Sequence, residues 1–138
     1  YDALKATPEL TAIREVKYHV MFKPLNEYNL DPGFERLLRL KISNENIQAY
    51  VNKIVELEAA LRAAGHKVNL GVFQPIGGGV HEAYHLRASS PSAADAGRIL
   101  DEAYANAPWM SLWEEAAALV DEVVSDNFEQ CEIIYTAE

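Results

Sequence analysis

Cysteine is nearly absent from this sequence: Cys131 stands alone among 138 residues. A single thiol closes no internal disulfide and builds no multi-cysteine zinc site. Its place in an apolar C-terminal strand pattern reads as a buried, inert thiol. Basic residues are also scarce, 12 Lys and Arg against 21 Asp and Glu, for a formal net charge of −9. A surface of that sign is soluble and repels phosphate backbones and anionic headgroups, so nucleic acid is not an expected partner. No apolar run approaches the roughly 20 residues of a membrane span, and membrane insertion is not expected either. Glycine (7) and proline (6) are too few for a low-complexity or collagen-like chain. Methionine is missing from the first position. The opening at Tyr1 fits a processed or trimmed N-terminus, which leaves the cytoplasm and export with a signal peptide already removed as the two expectations.

What is present is an ordinary globular composition, 49% hydrophobic and 24% charged, of a length that fits one core. Residues 1–33 read as an N-terminal segment with one added strand at about 15–23 and a loop. There Val16, Tyr18, Val20 and Phe22 alternate with Lys17, His19, Met21 and Lys23. Residues 34–138 read as the main domain. A strand at 34–42 alternates Leu38, Leu40 and Ile42 with Arg39 and Lys41, and Ser43 or Asn44 offers an N-cap oxygen to the next helix. That helix carries Ile47, Tyr50, Val51, Ile54, Leu57 and Leu61 at helical spacing and closes at Gly65. His66, just beyond, reads as a surface cap.

Strand periodicity returns over 68–76, and Gly77-Gly78-Gly79 turns the chain into a paired strand over 80–88. Three glycines also resemble a phosphate cradle, but no Lys-Ser/Thr follows them. Ser89-Ser90-Pro91-Ser92 caps a helix beginning near Ala93, Pro108 interrupts it, and a second helical stretch is expected from Trp109 to Ser125. A last strand is expected at 129–136. The order is α+β: an extra N-terminal strand followed by β-α-β-β-α-β, the ferredoxin-like sandwich, an antiparallel sheet with helices over one face. Leu37 and Phe73 on the other face ask for a cover, and a second copy in a homodimer is the simplest one.

The helix through Ala60-Leu61-Arg62-Ala63-Ala64-Gly65, the segment Gly71-Val72-Phe73-Gln74-Pro75-Ile76-Gly77-Gly78 and the helix start at Ser89-Ser90-Pro91-Ser92-Ala93 together resemble the dimeric α/β-barrel superfamily over roughly residues 34–136. The resemblance implies a dimer with a pocket between sheet and helices. The superfamily hosts cofactor-free monooxygenases, haem-degrading enzymes, decarboxylases and isomerases, so no single reaction is implied.

One motif is conspicuous. His81-Glu82-Ala83-Tyr84-His85 matches the zinc-hydrolase pattern, in which a helix would place His81 and His85 on one face with Glu82 as base and Glu102 as third ligand. On a strand the same histidines stand about 13 Å apart and share no ion. The flanking Gly77–Gly79 and Ser89–Pro91 leave only nine residues that alternate, so the strand, without metal or cofactor, is the expectation, and zinc the alternative. As a strand, His81, His85 and Arg87 form a row able to contact an acidic or phenolic small molecule, or a plain solvated face. Tyr84, Trp109 and Trp113 are candidate walls, the tryptophans lying four residues apart on one helix face. His81 or His85 would serve as base if there is catalysis, of an oxygenating or isomerising kind without cofactor. A non-catalytic assembly protein, with a dry interface and no pocket, is the remaining alternative.

Overall fold

The computed structural model describes residues 20–29, 31, 33–77 and 83–131. Its elements are β1 (Met21–Pro24), β2 (Gly33–Lys41), α1 (Ile47–Ala63), β3 (Asn69–Gly77), β4 (Tyr84–Ser90), α2 (Ala93–Tyr104), α3 (Met110–Ala117) and β5 (Glu122–Cys131). The five strands form one antiparallel sheet in the order β1-β3-β4-β2-β5. Without β1 this is the strand order of a ferredoxin-like sandwich, and β1 extends the β3 edge. The α+β reading with an added strand therefore holds.

Helix α1 forms where apolar side chains recur at three and four residues, and that stripe is what it buries: Tyr50, Val51, Ile54, Leu57 and Leu61. They meet Leu38 and Leu40 of β2, Leu70 and Val72 of β3 and Leu86 of β4 in one core. Each such side chain contributes roughly 1.5–3 kcal/mol by leaving water. The helix ends at Gly65, whose φ of 94° is the left-handed value that glycine takes without strain. Its start differs from expectation. The Ser43 carbonyl accepts from Asn46 and Ile47 N–H, and no side-chain oxygen caps the first turn. Ser92 does cap α2, its hydroxyl accepting the Asp95 N–H at 3.2 Å.

The C-terminal boundary is the larger correction. The helix expected to Ser125 ends at Ala117, and the strand expected at 129–136 begins instead at Glu122. The apolar positions 116, 119, 120 and 123 fit a helix, but β-branched Val123 and Val124 also suit a strand. The exposed edge of β2 decides between them: Asp121 N–H donates to the Lys41 carbonyl at 2.9 Å, and pairing then runs from Glu122 opposite Lys41 to Cys131 opposite Gly33. Residues 132–136 of the expected strand lie outside the described residues, as do 15–19 of the first strand, whose described part is Met21–Pro24.

Candidate functional site

Strand β4 sorts the candidate residues. Leu86, with Tyr84 and Ala88 on its side of the strand, belongs to the core under the helices, whereas His85 and Arg87 point to the opposite face. Tyr84 packs against the core and lines neither pocket described below. His81 and Glu82 lie outside the described residues. The strand at Tyr84–Ser90 removes the helix on which the zinc reading depends at its second histidine. Its third ligand fails as well: Glu102 sits on α2, across the sheet from His85, and bonds His66 and Trp109. Among the described residues no three His, Cys, Asp or Glu side chains are placed to share an ion.

Under the helices lies a cavity of about 120 Å³. Leu57, Leu61, Leu86 and Ile99 supply its aliphatic wall; Trp109, Trp113 and Phe128 supply its rings. The break at Asn106–Pro108, with Asn106 at φ 61°, redirects the chain so that Trp109 precedes α3 and both tryptophans reach the cavity. Trp109 is buried, and its indole N–H donates to Glu102 Oε2 at 3.2 Å. The same oxygen meets His66 Nε2 at 2.8 Å. Bonding to His66, then to Trp109, holds the Glu102 carboxyl below the usual carboxylate range. His66 is thus no surface cap; it is 8% exposed and anchors the carboxylate that orients Trp109.

Polar character in the cavity comes from Arg36 and Ser90. The Arg36 guanidinium donates to both oxygens of Asp126, at 2.8 and 2.6 Å, and its carbon stands 6.0 Å from the Trp113 ring and 5.7 Å from the Phe128 ring. Asp126 keeps Arg36 charged, and Arg36 in turn lowers the Asp126 carboxyl.

On the face away from the helices Arg87 makes a two-point bond to Glu35, through Nε to Oε1 and through Nη2 to Oε2 at 2.6 Å. Glu35 is only 2% exposed, and it also accepts from the Cys131 thiol at 3.0 Å. That bond, and then burial, push the thiol pKa up; Cys131 is half-buried where the sequence reading expects it buried. Tyr28 lies edge-on to Phe73 at 5.2 Å, and the Phe22 ring lies 4.1 Å from that of His85, tilted by 33°.

The structure therefore brings Trp109 and Trp113 together and His85 and Arg87 together, with the sheet between the two pairs. Glu35, Arg36, Tyr28, Phe73 and Phe128 were not among the sequence candidates. Alternation in β2 carried a signal for two of them. Glu35 falls in phase with Leu37 and Arg36 with Leu38, so each charge had to be paired on its face. Comparison of the chain with protein-family models, curated proteins and solved structures returned no match.

Proposed function

We propose that this chain is a small-molecule-binding protein, holding a single-ring, uncharged aromatic molecule between helices and sheet. The observation that carries the reading is the cavity of about 120 Å³ walled by Trp109, Trp113 and Phe128. A space of that order accepts a benzene-sized guest. Apart from Ser90 and Arg36, which Asp126 pairs, the lining is apolar, and this favours a neutral ring, such as a phenol, over an anion. Among the described residues the lining offers no imidazole, carboxylate or thiol to move a proton, so the proposal is of binding. A histidine base acting beside the tryptophans is not part of it, because His85 lies on the far side of the sheet. The cavity also weighs against the purely assembling alternative, whose interface would be dry and without a pocket.

Both tryptophans of the chain line the cavity, so intrinsic fluorescence reports its occupancy. Titration with phenol is expected to give a saturable change that Ala103→Leu, which fills the cavity from α2, abolishes while circular dichroism is unchanged. A linear, collisional response identical in both proteins would overturn the reading.

A homodimer belongs to the same proposal. Leu37 is already buried within the chain, and Phe73 is partly covered by Tyr28. The outer edge of β5 instead carries exposed Val123, Val124 and Phe128, and this edge is where we place the second copy.

A further inference from the structure

The sheet face away from the helices holds a second pocket, of about 330 Å³, lined by Phe22, Pro24, Tyr28, Phe73, His85 and Arg87. That volume is within the range of small-ligand sites, roughly 300–1,000 Å³. The sheet register builds it. Pro24 lies opposite Phe73, Phe73 opposite His85 and His85 opposite Arg39, one row of side chains across four strands. In the next row Gly71 lies opposite Arg87. A Cβ on Gly71 would stand 2.7 Å from Phe73 Cε2 and 2.8 Å from Tyr28 Cγ, so the aromatic wall exists because this position has no side chain.

The Tyr28 loop is held down with equal economy. The Asn26 carboxamide accepts from Val72 N–H and donates to the Leu70 carbonyl, both at 2.8 Å. It thereby continues the β3 ladder where β1 has ended and fixes the approach of Tyr28.

The polar end of the pocket is set in advance too. Glu35 takes the Nε and Nη2 side of the Arg87 guanidinium, which clamps the plane and leaves the Nη1 end turned away from Glu35. The guanidinium carbon lies 5.6 Å from the Phe73 ring centre. Arg39 stands opposite His85 in the sheet register, so a second guanidinium lies in the same row as the pocket's His85. Rings on the walls and an oriented cation at the end match one chemistry, a flat ring bearing an anion.

We propose that this pocket binds a small aromatic carboxylate, its ring against Phe22, Phe73 and Tyr28 and its carboxylate on the Nη1 end of Arg87. The site is separate from the cavity under the helices and stands or falls independently of it. The test is an amide-resonance NMR titration of the full chain with benzoate. Saturable shifts confined to Phe73, His85, Arg87 and the Tyr28 loop are expected, with benzyl alcohol about tenfold weaker or worse because it lacks the charge.

Phe22 sits on the short edge strand, where substitution leaves the core intact. Phe22→Glu should weaken benzoate about tenfold or more, while Phe22→Lys keeps it. Ala103→Leu, on the other side of the sheet, should leave benzoate binding unchanged. The proposal is overturned if benzoate shifts map under the helices, if benzyl alcohol binds as well, or if no shift appears at millimolar benzoate. It is equally overturned if a second copy of the chain proves to occupy the pocket.

Discussion

Glu35 and Arg87 meet 52 residues apart in sequence, on a sheet face where one is almost wholly shielded from water. Removing one member leaves the other's charge buried and uncompensated, which typically costs about 3–5 kcal/mol, whereas replacing both by apolar residues is often neutral. Arg87→Met is therefore expected to lower the urea midpoint sharply, and Glu35→Met/Arg87→Met to recover most of the loss. If the double variant is no more stable than Arg87→Met, the pair is not what Arg87 contributes. The cost has a use at this scale, since the ion pair is also what holds the guanidinium in one orientation. Arg87 was legible as a polar residue on a strand; its partner was not, because alternation gives a side and not a neighbour.

At the scale of the element, β5 is the strand to watch. It is ten residues long, it ends the sheet order among the described residues, and it exposes Val123, Val124 and Phe128. Such edges pair with further strands unless charge or proline blunts them. Light scattering on the purified chain is expected to give twice the mass of one copy, and Val124→Lys to reduce it to one. A monomer in both cases would remove the dimer from the proposed function. The same strand marks where sequence reading failed. Ala116, Leu119 and Val120 do contact the core, but the helical spacing that links them to Val123 runs through a turn, not through a helix. By contrast α1 was legible in all but its N-cap, since its apolar stripe, its length and its closing glycine express one local periodicity.

For the whole molecule the surplus of acid matters most at low pH. The Glu102 carboxyl is lowered below its ordinary 4.5 by His66 and Trp109, and Asp126 below its ordinary 3.8 by Arg36. A carboxyl with a depressed folded-state pKa contributes stability above its unfolded pKa and loses it as pH falls through the folded one. The thermal midpoint is expected to be nearly flat from pH 7 to 5 and to fall progressively below about 4.5. Glu102→Gln combined with Asp126→Asn should flatten that acid slope. Both groups are substantially exposed, so solvent screening keeps the effect modest, and an unchanged slope would mean that neither pair persists in solution. Among the described residues no helix is long and apolar enough to cross a membrane, as the absence of long apolar runs predicts.

The sequence by itself determined the order of elements, the buried face of α1, the glycine that ends it and the serine that starts α2. Each of these follows from periodicity or capping within a few residues. It also contained, in the alternation from Val80 to Arg87, the reason to doubt a metal site at His85. Only the tertiary structure decided which candidates belong together. Pairing placed the sheet between His85 and Arg87 on one side and Trp109 and Trp113 on the other, and so divided one imagined pocket into two real ones. It turned residues 122–131 into a strand because β2 had an edge to fill. It also set Tyr28 over Gly71, and Glu102 between His66 and Trp109. These are contacts between distant parts of the chain, and a local pattern specifies which way a side chain points without specifying what it meets there.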